Sequence, residues 1–147
     1  MPKPPPRLCA AGVTLRKQID LRWPNRDRRS DGWIGDKAHQ ARQSDHNPDL
    51  NGWVRALDID ADLTKSGGRE RAWLLANELR EYALADLEGS RRIKYIVYMD
   101  QICSGTYRKT FWQWRGKGYG HFSHIHISFF PAGDTDGTRF PLRILGR

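Results

Sequence analysis

Between residues 69 and 85 the run RERAWLLANELREYALA places Ala72, Leu75, Leu79 and Tyr82 or Ala83 on one side of a helical wheel, so the spacing predicts the main amphipathic helix there. Gly67 and Gly68 mark its start and Gly89 its end. Upstream, TLRKQIDLRW, from Thr14 to about Trp23, reads as a shorter helix with Thr14 as N-cap and with Leu15, Ile19 and Leu21 or Arg22 around the turn. Pro24 stops it. Asp36 is placed to cap another short helix, KAHQAR, that delivers the chain to Ser44. A period of two replaces the helical period in WVRALDID: Val54, Ala56, Asp58 and Asp60 face one way, and Trp53, Arg55, Leu57 and Ile59 the other. RIKYIVYM, from Arg92 to Met99, is rich in β-branched and aromatic residues and reads as a central strand. HIHISFF, residues 124 to 130, is the last strand, and HNPDLNG is a loop by its turn residues. Helices and strands mix without regular βαβ alternation, which predicts an α+β domain: a mainly antiparallel sheet with flanking helices.

The chain has 147 residues, enough for one domain, residues 1–147, with residues 1–8 as a flexible Pro-rich arm. No apolar stretch is long enough to span a membrane, so no membrane insertion is expected. Met1 to Pro6 carries a lysine and four prolines but no apolar run, which predicts synthesis in the cytoplasm without a signal peptide. A net charge of +8 favours polyanions, either nucleic acid or an anionic cell envelope, and does not choose between them. Cys9 and Cys103 form no Cys-x-x-Cys pair, which excludes a zinc ribbon and leaves two ordinary thiols as the expectation, with one disulfide as the alternative.

Five histidines occur, at 39, 46, 121, 124 and 126, and three of them fall within six residues. His124 and His126 share a strand face, so one can bind a metal while the other addresses what the metal holds. A catalytic zinc site takes three nitrogen or carboxylate ligands and keeps one position open. His46, Asp58 and His126 supply that set for one Zn2+. Two neutral imidazoles and one carboxylate leave the ion a net positive charge, which brings the pKa of water on it from about 15.7 toward 7. Taken singly, each residue has a plainer role: His-x-His as a polar sheet face, Asp58 as a partner for an arginine, His46 as loop surface and His39 as helix surface.

Two sets of residues carry a resemblance. Ser44-Asp45-His46 followed by Ala56-Leu57-Asp58 resembles the Ser-x-His and Ala-x-Asp signature of the D-alanyl-D-alanine carboxypeptidase and murein endopeptidase family, which includes many phage endolysins. His121-Phe-Ser-His124-Ile-His126 resembles the murein endopeptidase ending, in which the last histidine binds zinc and the middle one is catalytic. Longer stretches, LRKQIDLRWPNRDRRSDGWIGDKAHQARQSDHNPD and GYGHFSHIHIS, are similar to endolysin catalytic domains of phages that infect actinobacteria. The resemblance implies a hedgehog/D-Ala-D-Ala-peptidase-like fold and zinc-dependent cleavage of peptidoglycan peptides, with action at the bacterial wall after release from the host. On that reading the basic charge draws the enzyme to anionic wall polymers, and a monomer is the expectation.

Two features depart from the family pattern. Twelve positions separate His46 from Asp58 where seven are usual, so DLNGWVR reads as an insertion, and Asp60 on the same face is the alternative ligand to Asp58. The nearest glutamate before His126 is Glu88, 38 positions back, so His124 stands in as the proton-transferring group, with His121 orienting it or binding substrate. Ser44 and Arg42 are the expected substrate contacts, Arg42 through a bidentate bond to a carboxylate. Two other readings compete: a His-Asn-His-type nuclease, suggested by Asp45-His46-Asn47-Pro48 and the basic charge, and a non-catalytic wall-binding relative. The strand context of HIHIS disfavours the nuclease and makes nucleic acid the weaker candidate partner.

Overall fold

The computed structural model describes residues 2–35, 44–65, 69–85, 91–106, 108–116 and 118–146. Its centre is a four-stranded antiparallel sheet of β3 (Ala56–Asp60), β4 (Ile93–Tyr98), β5 (Gln101–Ser104) and β6 (His124–Phe129), ordered β3-β6-β4-β5. Two helices, α1 (Ala10–Arg22) and α2 (Arg69–Ala85), pack against β3 and β4 respectively. The α+β class and the antiparallel sheet expected from the pattern are therefore present. No helix among the described residues is long and apolar enough to cross a membrane.

Period-two alternation sorts β6 into two chemistries. Ile125, Ile127 and Phe129 are buried in the apolar core with Leu57 and Ile59 of β3, Leu15 and Ile19 of α1, and Leu75 and Leu79 of α2. Each such side chain contributes about 1.5–3 kcal/mol by leaving water. His124, His126 and Ser128 must then point to the opposite face. Register places Asp58 beside His126 and Asp60 beside His124. Slipping β3 by one residue would put both carboxylates into the core, so hydrophobic burial itself fixes the histidine–aspartate pairing.

Several boundaries differ from those the sequence predicts. Helix α1 begins at Ala10 with Cys9 as N-cap, and Thr14 lies inside it, its Oγ1 donating to the Gly137 carbonyl at 2.8 Å. The good helix formers Ala10 and Ala11 extend the helix backward, and Gly12 lets Leu8 pack where a Cβ would stand 2.8 Å from its Cδ1. The Pro-rich arm is not wholly a flexible tail: Arg7–Leu8 form β1, paired in parallel with Trp53–Val54, β2, and Leu8 is buried. WVRALDID is correspondingly two strands in two sheets, divided at Arg55, whose backbone N–H donates to the Asp45 carbonyl at 3.0 Å. The Arg55 guanidinium binds both Asp134 oxygens, at 2.8 and 2.7 Å, and Asp49 at 2.7 Å, which holds the chain at this break.

Strand β5 has no counterpart in the sequence reading. A two-residue turn of Met99 and Asp100, with φ of 47° and 67°, joins it to β4, and this geometry usually announces itself as Asn-Gly. The expected short helix after Asp36 lies outside the described residues.

Candidate metal centre

Three side chains converge on the open face of the sheet. Asp58 comes from β3, His126 from β6, and His46 from the loop before β2. His126 Nδ1 lies 3.1 Å from Asp58 Oδ1 and 3.2 Å from His46 Nε2, and His46 Nε2 lies 3.3 Å from Asp58 Oδ2. Ligands about 2.0–2.1 Å from a tetrahedral ion stand about 3.3 Å from one another, close to the 3.2 Å between the two ring nitrogens, and one ligand atom from each of the three residues lies within 4.8 Å of the others. His46 and His126 are 6% and 5% exposed. Asp58 is somewhat more open, which keeps one side of the trio accessible.

The outward ring nitrogens are also occupied. His46 Nδ1 donates to the Trp33 carbonyl at 2.9 Å; a carbonyl only accepts, so the proton sits on Nδ1 and the Nε2 lone pair turns toward Asp58. His126 Nε2 lies 2.7 Å from Ser128 Oγ, and donation there leaves Nδ1 to face the carboxylate. Tyr95 stacks on the His126 ring, centroids 5.3 Å apart and planes 15° from parallel. The loop bearing His46 is tied by Lys94, which binds both oxygens of Asp45 at 3.2 and 3.0 Å.

Electrostatics follow from this crowding. Burial pushes the Asp58 carboxyl up, but hydrogen bonds and charge from His126 and His46 overcome it and hold the group well below the usual carboxylate range. Burial lowers His126 and outweighs its attraction to Asp58, so this ring favours the neutral form that a metal requires. His46 is desolvated too, yet Asp58 raises it overall.

Asp60, the alternative ligand, is committed elsewhere. Its Oδ2 accepts from the Ser30 N–H at 3.0 Å and its Oδ1 from the Asp62 N–H at 2.8 Å, while Asp58 is the carboxylate among the rings. The twelve-residue spacing is accommodated by a tight turn in which Asp49 Oδ1 accepts from Asn51 and Trp53 N–H, both at 2.9 Å. Gly52, at φ 85°, is required there, because a Cβ would meet the Pro5 carbonyl oxygen at 2.7 Å.

His124 and His121 border the trio. His124 Nε2 stands 3.6 Å from Asp58 Oδ2, and its Nδ1 lies 3.3 Å from Ser123 Oγ. The His121 ring is 4.8 Å from that of His124 and 5.4 Å from that of His126, centroid to centroid. Ser44 lies beside the centre and does not enter it: its Oγ accepts from the His46 N–H at 3.3 Å, which shapes the loop. Arg42 and His39 lie outside the described residues. Trp33, Tyr95 and Ser128 were not singled out by the sequence reading. Ser128 is detectable as the next residue on the histidine face of HIHIS, but Trp33 contributes a backbone carbonyl, which any residue type supplies. Cys9 and Cys103 are free, buried thiols.

No family model, curated protein or solved structure matches the chain.

Proposed function

We propose that this protein is a zinc-dependent peptidase of the endolysin type that hydrolyses peptide bonds in bacterial peptidoglycan, on a hedgehog/D-Ala-D-Ala-peptidase-like fold. The observation that carries the metal assignment is the convergence of His46 Nε2, Asp58 and His126 Nδ1 at separations of 3.1, 3.2 and 3.3 Å. The peptidase and wall assignments rest on the Ser-x-His, Ala-x-Asp and His-x-x-His-x-His motifs. A zinc ion held there supplies Lewis acidity toward an amide carbonyl and makes water acidic enough to react near neutral pH.

The chain's own residues supply positioning and proton transfer. His124 sits on the accessible side of Asp58 with Nε2 turned to it. Burial depresses its basicity, aided by His121 and His46 and opposed by Asp58, so at neutral pH it offers a lone pair. It takes the proton of the attacking water and returns it to the departing amine. His121, packed edge-on against His124, orients that ring. The net charge of +8 draws the enzyme to anionic wall polymers without setting which bond is cut.

Turbidity loss of purified cell walls tests the proposal. Lysis is expected to stop with a chelator and return with zinc. His126→Ala is expected to lose both metal and lysis, and His124→Ala to keep the metal and lose most turnover. Wild-type lysis by both variants would overturn the assignment.

A further inference from the structure

A second set of ligand atoms adjoins the first. Asp58, His121 and His124 bring one carboxylate oxygen and two ring nitrogens within 4.8 Å of one another on the more open side of the centre. The two oxygens of Asp58 are differently placed: Oδ1 faces His126 at 3.1 Å, while Oδ2 faces His124 at 3.6 Å as well as His46 at 3.3 Å. A carboxylate can bridge two cations through its two oxygens, as in two-metal hydrolytic sites.

His121 is held as a ligand would be. Its Nδ1 donates to the Tyr119 carbonyl at 2.6 Å, which leaves the Nε2 lone pair to be shared, the same device that aims His46. Its backbone sits at φ 64°, a left-handed conformation that costs a non-glycine residue about 1–2 kcal/mol. The β4–β5 turn holds it there: Met99 N–H donates to the His121 carbonyl at 3.0 Å, Asp100 N–H to the Gly120 carbonyl at 2.8 Å, and Gly120 N–H to Asp100 Oδ1 at 2.9 Å. His124 Nδ1 is engaged by Ser123, so its Nε2 is the nitrogen presented to Asp58.

We propose that His121, His124 and the shared Asp58 form a second, outer divalent-cation site, a proposal that rests on reading the inner trio as a zinc centre. The outer ion is bound more weakly, on the order of tenfold or more, because two divalent cations repel across one carboxylate and the outer residues are more exposed. Its ligands include the ring that handles protons in the reaction. Zinc beyond one equivalent therefore inhibits turnover by occupying the His124 lone pair.

The test is calorimetric titration of Zn2+ into the metal-stripped full chain, with zinc content measured by elemental analysis after equilibrium dialysis. The expected result is two steps and two ions per chain. His121→Asn keeps a residue tolerant of left-handed backbone, and it should retain the tight step and lose the weak one. His124→Gln should do the same, and His46→Ala should lose the tight step. Saturation of the wild type at one ion, or a weak step unchanged in both His121→Asn and His124→Gln, would overturn the outer site and leave the inner one standing. Absence of any tight step in the wild type would overturn both.

Discussion

Two polar clusters meet at β3, and they are built on opposite principles. At its end, Arg26 is 2% exposed and donates through Nε to Asp20 at 2.9 Å and through both terminal nitrogens to Asp31. Asp31 Oδ1 also accepts the Asp60 N–H at 2.7 Å, and the Asp60 carboxylate accepts two further backbone N–H groups. Donors and acceptors match in this cluster, and a guanidinium supplies the positive charge. Two residues away, Asp58 meets His46 and His126, whose outward nitrogens bond the Trp33 carbonyl and the Ser128 hydroxyl. A carboxylate and two ring nitrogens crowd together there with no fixed cation, and a shared proton or a metal ion is what such a set can hold. The first cluster is complete within the chain, whereas the second is one that could hold a metal ion.

Exchanging the two carboxylates one at a time is the strongest way to break this contrast. Asp58→Asn should abolish zinc binding at the inner site, a loss of at least about 100-fold in affinity, since a charged ligand and its orienting bonds vanish together. Asp60→Asn should keep one tightly bound zinc and lower stability by about 1–3 kcal/mol, read from denaturant unfolding. Metal loss only in Asp60→Asn would reverse the assignment of the two clusters.

Removing the internal cation of the first cluster should cost stability without touching the second. Arg26→Met is expected to destabilise by about 3 kcal/mol, because Asp31 loses the cation that pairs with it, with zinc stoichiometry unchanged. Bound zinc, in turn, should raise the unfolding free energy of the wild type by about 2.7 kcal/mol at a hundredfold excess over its dissociation constant, and Asp58→Asn should show no such gain. Ser128→Ala sharpens the role of the orienting bonds: it should weaken zinc by about 10- to 100-fold while the ligands remain. Equal affinity in that variant would show that Ser128 does not set the His126 tautomer.

The smallest expected effect concerns the thiols. Burial pushes Cys9 up to about 11 and Cys103 up to about 12 from an ordinary value of 9.0, so the reactive thiolate is suppressed in the folded state. Because the folded values lie above the unfolded ones, the unfolded chain gives up these protons first as pH rises. The native state should therefore lose stability progressively above about pH 9. Labelling by a thiol reagent at pH 8 should be slow in the native protein and rapid after denaturation; fast native labelling would contradict the burial.

Much of this architecture is legible in the residues themselves. RERAWLLANELREYALA carries its helix in its period, and the structure places α2 at Arg69–Ala85. HIHISFF carries its two faces, because alternating imidazole and aliphatic side chains admit one orientation toward a core. The same alternation nominated Asp58 and Asp60 as a pair without separating them. Less legible were the Met99-Asp100 turn, whose left-handed backbone donates its N–H groups to the carbonyls of His121 and Gly120, and the pairing of Arg7–Leu8 with Trp53–Val54. Both depend on partners distant in the chain.

By itself the sequence determined the α+β class, the donor types and their order along the chain, because periodicity and side-chain chemistry are local properties. Tertiary structure decided which carboxylate stands among the imidazoles, which ring nitrogens face it, and that His121 and His124 gather beside Asp58. Those outcomes depend on strand register and on backbone groups such as the Trp33 and Tyr119 carbonyls, whose positions only the folded chain defines.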